Sequence, residues 1–379
     1  MQLTFPLFDD AELANVRACL NSRWVTMGPW TKQFEDVVAA RHQVKHALAT
    51  TSCTSALHLA TMALDLGPGD EVIVPAFTWI TSANCAEYVG ATPVFVDVSL
   101  DTFNIDPEAL AAAITPRTKA IVAVHLFGLA APMDAIMAIA KARGIAVIED
   151  AACAIGSSYN GQPVGGIGEI GCFSFHPRKI VSTGEGGMVT TNDDVLAERV
   201  ASLRNHGGVG HPGPGAAPAK PYQMGRFERL GYNLRLSDIQ SAVGVAQMEK
   251  LDGLLAERRA RAKGYDALLA NAADLACPCE PAGSVHAYQG YVVRVTDGGY
   301  SRRNRIMDRL AADGIPTRPG THAVHRLGYY QNKYLLTPER YPNACLAEDT
   351  SITLPIFPGM TDADQGAVVS ALTSALQEG

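Results

Sequence analysis

The sequence runs to 379 residues, 47% apolar and 18% charged, which supplies a sizeable core and excludes a globally disordered chain. At roughly 100–200 residues per domain, this length fits two domains or one large α/β domain with an appendage. Lys and Arg number 31 against 38 Asp and Glu, a net charge of −7 that argues against a nucleic-acid surface, which needs many phosphate-neutralising side chains.

The opening residues, MQLTFPLFDDAELANV, lack the basic region and apolar core of a signal peptide. The run 46–64 has no Asp, Glu, Lys or Arg, but it is too rich in Thr, Ser and Cys for a membrane span of about 20 apolar residues. The expectation is a cytoplasmic protein with no membrane partner. Strands are predicted at 71–75 (EVIVP), 93–97, 120–124, 145–150 (IAVIED) and 172–176 (CFSFH). Helical spacing of Ala, Leu and Met fills 54–65, 107–114 and 132–143 between them. Such alternation predicts an α/β domain with a mostly parallel central sheet, whose ligands bind beyond the carboxyl ends of the strands.

Residues 207–225, rich in Gly, Pro and Ala, read as a long surface loop. Helices follow at 237–250, opened by Ser237 or Asp238 as cap, and at about 254–271. A strand at 290–295 and helices at 301–313 and 362–377 complete a smaller α+β unit. The expected division is a large α/β domain over 1–250 and a small domain over 251–379. The Arg302, Arg303, Arg305 and Arg309 cluster reads as a solvated helix face. Eight cysteines, at 19, 53, 85, 153, 172, 277, 279 and 345, show no zinc-type spacing, so thiols and no metal are expected.

The match of 166–171 (GIGEIG) to the dinucleotide fingerprint carries no weight, because those glycines precede a strand instead of opening a helix. More informative is 172–191, CFSFHPRKIVSTGEGGMVTT, which sets Lys179 beyond a strand end and before a glycine-rich turn. A lysine there is either an ordinary surface residue or a Schiff-base nucleophile, whose amine needs partial desolvation or a positive neighbour. Asp150 closes the strand IAVIED. An acid at that place is a helix cap or the partner of the ring nitrogen of pyridoxal phosphate (PLP). Residues 51–58, TSCTSALH, set hydroxyls at a helix start, where free N–H groups cap the helix or cradle a phosphate. The three features together form a PLP constellation.

Their order and spacing are those of a known family. The chain resembles the DegT/StrS family of sugar aminotransferases in WVTMGP at 24–29, GPGDEVIVP at 67–75, Asp97, TPRTKA at 115–120 and HLFG at 125–128. The most distinctive matches are FSFHPRKIVSTGEGG at 173–187 and GYNLRLSDIQ at 231–240. The resemblance implies the aspartate-aminotransferase type of fold (PLP fold type I), with helices sandwiching the sheet. It implies PLP on Lys179, with Asp150 at the pyridine nitrogen and Trp79 stacked on the ring. Thr54, Ser55 and Ser174 would hold the phosphate, and Asn233 would reach the phosphate from the second subunit of a homodimer with shared active sites. A lone Trp is otherwise more often a core residue. Cys153 occupies a position near the cofactor where family members often carry Gln, His or Glu, and a thiol is a weak donor. Some family dehydratases have histidine in place of the lysine; Lys179 favours transamination.

The implied reaction has two stages, with L-glutamate as donor and a nucleotide-linked 4-keto-6-deoxy sugar, as in perosamine-type synthesis, as acceptor. Candidate acceptor residues are Trp24, Arg235, Arg318, His322 and His325; for each histidine the competing role is structural. The alternatives are amination of a keto-cyclitol or a 3-keto sugar on the same scaffold, and a non-catalytic PLP-binding sensor.

Overall fold

The computed structural model describes residues 1–209, 220, 222 and 224–378. Seven strands make the main sheet: β1 (His46–Thr50), β2 (Glu71–Pro75), β3 (Thr92–Val96), β4 (Thr118–Val124), β5 (Ala146–Asp150), β6 (Ile170–Ser174) and β7 (Gly187–Thr191). Their spatial order is β1-β7-β6-β5-β4-β2-β3. β7 is antiparallel to both its neighbours and every other pair is parallel. The carboxyl ends of β1 to β6 therefore share one edge of the sheet. Residues 51–54, 76–79, 125, 150–153 and 174–179 come together there, although they are far apart in sequence.

Both faces of the sheet are covered, which explains the continuous apolar runs. Val72, Val74, Val122 and Ile148 pack on one face with α3 (Cys53–Ala63) and α4 (Thr81–Tyr88). The alternate residues Ile73, Ile121 and Val147 pack on the other with α5 (Pro107–Ala113) and α6 (Met133–Lys141). β1 and β7 escape the sequence reading, because HALAT and GMVTT are short and rich in Ala, Gly and Thr. Three helices define the β1 side: α1 (Asp10–Ser22), α2 (Pro29–His42) and α8 (Asp238–Glu249). Of the two expected caps, Ser237 takes the role, accepting the N–H of Gln240 at 3.3 Å. Asp238 caps another helix: its Oδ1 accepts the N–H groups of Gly28 and Thr31, at 2.8 and 2.9 Å, at the start of α2.

The C-terminal part is a three-stranded antiparallel sheet of β8 (Leu275–Ala276), β9 (Tyr291–Val295) and β10 (Ser351–Leu354), in that order. Helices α9 (Leu251–Leu269), α10 (Gly299–Ala312) and α13 (Asp362–Glu378) complete its core around Tyr265, Tyr291, Ile306 and Leu372. α9 crosses between cores: Leu251, Leu254 and Leu255 pack near α2 and α8, whereas Ala262, Tyr265 and Leu269 pack beside β9. The N-terminus also lies on this part, with Leu3 accepting the N–H of Ile356 at 3.0 Å and Phe5 stacked on Phe357.

Of the four arginines expected on a solvated face, α10 leaves Arg305 and Arg309 exposed and corrects the other two. Arg302 is buried and paired with Asp274 and Asp297, and Arg303 is buried with its guanidinium on the carbonyls of Glu348 and Ser351, at 2.9 and 3.0 Å. The amphipathic period places these two heads over the core edge, where carbonyls and acids satisfy them. Within the expected loop 207–225, residues 210–219, 221 and 223 lie outside the described residues; its beginning, Gly208–Val209, pairs with Arg226–Phe227. Among the described residues all eight cysteines are free thiols, no three His, Cys, Asp or Glu side chains cluster as metal ligands, and no helix is long and apolar enough to cross a membrane.

Candidate active site

The shared strand edge opens into a cavity of about 890 Å³, closed on its far side by residues of α10, the 318–322 segment and Arg326, Glu348 and Asp349. Ser52, Cys53 and Thr54, at the N-terminus of α3, line one end. The strand turns into this helix because the Ser52 hydroxyl accepts the N–H of Ser55 at 3.1 Å, while backbone N–H groups of the first turn stay available to an anion. Gly187 allows the approach of β7: a Cβ there would lie 2.4 Å from the Ser52 carbonyl.

Asp150 ends β5 and lines the cavity floor. Its Oδ2 accepts the Ser82 hydroxyl at 2.6 Å, Ser82 in turn accepts from Thr78 at 2.9 Å, and Oδ1 accepts the N–H of Ala152 at 3.2 Å. Among the described residues no cation is paired with the carboxylate, so it keeps acceptor capacity for a ligand. Trp79 is no core residue: it is 57% exposed and lines the cavity, its ring 5.6 Å from that of His322. The strand pairing of Phe77–Thr78 with His322–Ala323 brings the two together.

Lys179 stands in the turns between β6 and β7, half-buried, with its Nζ 3.0 Å from Cys153 Sγ. Ser174, Arg318 and His322 also line the cavity. The thiol of Cys53, on the same floor, is pushed well up by burial and stays neutral.

Glu149, adjacent to Asp150 but on the opposite face, belongs to the scaffold. It accepts the N–H groups of Gly165, Ile167 and Gly168 at 2.7–2.8 Å and is paired with His125 Nε2 at 2.9 Å. Burial pushes its pKa up, but the bonds from His125 and the glycine amides outweigh this and hold it below the usual carboxylate range. The Ala131 N–H donates to His125 Nδ1, so the proton of the ring lies on Nε2 and faces Glu149. Two amides of the 166–171 segment, with that of Gly165 just before it, thus serve an internal carboxylate.

Five expected site residues are not brought to this cavity within the chain. The Ser55 hydroxyl bonds those of Thr51 and Ser52, completing the helix cap instead of facing the cavity. Trp24 is exposed beside Gly28, Asn233 is exposed in a bridge to Asn205, and Arg235 donates to Asn205 Oδ1 at 2.7 Å. His325 corrects the expectation of an acceptor contact. It is 1% exposed, 3.3 Å from Cys345 Sγ and packed on Tyr341, and burial lowers its pKa to about 4, so it is a neutral core residue. The sequence reading also missed His125, Arg178, Gln289, Tyr300 and Arg303 of the lining. Arg178 lies within the 173–187 match and His125 opens the 125–128 match after a predicted strand; the others carry no local signal.

The chemistry of the lining fits PLP. A buried carboxylate without a cation suits the ring nitrogen, an amine bonded only to a thiol suits the aldehyde, an open Trp face suits the ring, and a helix N-terminus suits the phosphate. Fold and site together define a PLP-dependent aminotransferase. Residues 6–373 match the DegT/DnrJ/EryC1/StrS aminotransferase family, and the chain belongs to it. It is 40% identical over 374 residues to GDP-perosamine synthase of Caulobacter vibrioides, covering 98% of this chain and 97% of that one. It is 37% identical over 371 residues to the spore coat polysaccharide biosynthesis protein SpsC of Bacillus subtilis, covering 97% and 95%. The PLP form of the putative sugar aminotransferase Spr1654 from Streptococcus pneumoniae superposes with a TM-score of 0.92 at 29% identity, covering 100% and 99%. Its PMP form gives 0.93 with the same identity and coverage.

Proposed function

We propose that this aminotransferase moves an amino group from L-glutamate to a nucleotide-linked keto-deoxy sugar, of the 4-keto-6-deoxy type, in the cytoplasm. The observation that carries the reading is the pairing of Lys179 and Asp150 across one cavity whose volume exceeds the needs of a small amino acid. The sugar chemistry of the relatives supports the acceptor class. Arg178 and Arg318 add to it: both line the cavity without a carboxylate partner among the described residues, and both donor and acceptor are anionic.

PLP, when bound, takes the amine from the donor and releases it to the acceptor while delocalising the electrons of the broken C–H bond. Lys179 would hold the cofactor at rest, and its freed amine would remove the proton from the donor carbon and deliver it to the carbon on the other side of the transferred nitrogen. Asp150, steadied by Ser82 and Ala152, would keep the ring nitrogen protonated by its opposite charge. Trp79 would stack on the ring, and Ser52, Thr54 and Ser174 with the α3 amides would hold the phosphate. Cys153 offers the ring hydroxyl only a weak donor.

A homodimer completes the site in this reading, with Asn233, Trp24 and Arg235 serving the partner's cavity. The exposed apolar side chains of Tyr222, Met224, Phe227 and Leu230, at 60–89% exposure, favour burial against a second copy. The test is the visible spectrum of the PLP-loaded protein before and after adding L-glutamate, followed by GDP-, UDP- and dTDP-linked keto sugars. A shift on glutamate and reversal by one sugar is the expected result. Glutamate without effect overturns the donor, and inactivity with every sugar, or reversal only by a keto-cyclitol, overturns the acceptor.

A further inference from the structure

Lys179 has no regular element to hold it. β6 stops at Ser174, and β7 starts at Gly187. The Lys179 N–H donates to the His176 carbonyl at 2.8 Å, a turn bond that leaves the Arg178 carbonyl and the Ile180 N–H, one on each side of the lysine, to be satisfied from elsewhere. A side chain from the far end of the chain does this. Gln289 Oε1 accepts the N–H of Ile180 at 3.0 Å, and Gln289 Nε2 donates to the carbonyl of Arg178 at 2.5 Å. One amide thus brackets Lys179 from both sides, as a neighbouring strand would. Its orientation is dictated by its partners, because an N–H requires the oxygen and a carbonyl requires the NH₂.

The support of Gln289 is itself stiff. Tyr288 is held in the left-handed region at φ 50°, next to the similarly strained Phe127 at φ 57°. His286 Nδ1 accepts the Tyr288 N–H at 2.8 Å, and the Ala287 N–H donates to the Gly128 carbonyl at 3.0 Å. Buried Arg258 donates to the Tyr288 carbonyl at 3.1 Å and to that of Gln289 at 3.4 Å. Burial brings the pKa of Arg258 down to about 10, so it remains a cation at neutral pH.

We infer that Gln289 is a positioning residue for the lysine chemistry, holding the backbone on both sides of Lys179 so that its amine swings on a fixed pivot. The inference rests on the Lys179 role proposed above. A proton carried between two carbons on either side of the transferred nitrogen needs its carrier placed to a fraction of an ångström, and a misplacement of about 1 Å costs on the order of 100-fold in rate. Glutamine is the residue the geometry requires: methionine has the bulk and neither bond, and glutamate keeps the acceptor while setting an oxygen against the Arg178 carbonyl.

The experiment uses the full PLP-loaded chain with Gln289→Met and Gln289→Glu. Single-turnover reduction of the cofactor band by L-glutamate is followed with the visible circular dichroism, which reports the tilt of the bound ring. Gln289→Met is expected to lower the saturating rate constant about 10- to 100-fold, leave the glutamate concentration for half-saturation within about 2-fold, and alter the dichroism; Gln289→Glu should fall between it and the parent. A Gln289→Met protein with the parental rate and dichroism overturns the inference, as does a loss confined to thermal stability. Should Gln289→Met fail to fold, Gln289→Glu decides on the same two readouts. A parent protein that takes up no PLP overturns the proposed function instead, so the two failures are distinguishable.

Discussion

Two glycine-rich turns flank β6, and they serve opposite ends. At 165–168 the backbone N–H groups converge on Glu149, a carboxylate outside the cavity that is sealed by His125. At 184–187 the glycines bring β7 against the first turn of α3 and leave the N–H groups of that helix to the cavity. The adjacent acids Glu149 and Asp150 are sorted in the same way, because successive side chains of a strand point to opposite faces. One acid is saturated by internal donors and contributes stability; the other lines the cavity and is the one proposed for the chemistry.

Substitutions can break this contrast. On the chemical side the largest effect belongs to Lys179→Ala, which is expected to reduce turnover to background in a coupled assay while the melting temperature stays close to the parent's. Asp150→Asn should lower kcat by about 10²- to 10⁴-fold with little change in urea midpoint; a variant near full activity would place Asp150 with the scaffold. On the structural side, Glu149→Ala leaves His125 and three buried amides without their acceptor and should destabilise the fold by about 3–5 kcal/mol in urea titrations. The folded fraction should still bind PLP.

The glycines give a smaller and more discriminating pair. In Gly168→Ala the new Cβ would lie 2.7 Å from the Val147 carbonyl, and in Gly187→Ala it would lie 2.4 Å from that of Ser52. Each substitution should cost about 1–3 kcal/mol through overpacking. Only Gly187→Ala should also weaken PLP binding, by about 10-fold, which fluorescence titration would measure. Equal affinity in both variants would remove the distinction between the turns.

The mildest test is pH. His42, buried against Phe173, donates to the Val164 carbonyl beside the first turn at 2.8 Å while its Nε2 has no partner, and burial lowers its pKa from 6.5 to about 4. Between these values the unfolded chain binds the proton and the folded chain does not, so stability must fall as pH drops through that window. Glu149 adds to the loss at the lower end, since its depressed pKa stabilises the fold only where the carboxylate is ionised. The urea midpoint should decrease from pH 7 to pH 4, and His42→Asn should flatten the upper part of the decline.

Strand and helix periodicity made much of the fold legible, and local motifs did the same for one wall of the site. Asp150 closes a strand and Lys179 follows one within a few residues, so any fold with a mostly parallel sheet carries them to one edge. Trp79 was assigned by family resemblance, and its exposure supports that reading over core packing. Of the opposite wall, only Arg318 and His322 were candidates. Gln289, Tyr300, Arg303 and Glu348 come from a turn and two helices whose local patterns speak only of amphipathic packing, and Arg303 read as a solvated charge until the fold buried it.

The sequence by itself determined the alternation of elements and the family, and singled out Lys179 as the candidate nucleophile, because those depend on short-range spacing and on residue types with little freedom of use. Tertiary structure decided which glycine turn faces the ligand, which of two adjacent acids is free, that His325 is core, and that a glutamine far along the chain brackets Lys179. These are questions of which groups satisfy one another's hydrogen bonds across long sequence separations, and only the folded packing of the chain settles them.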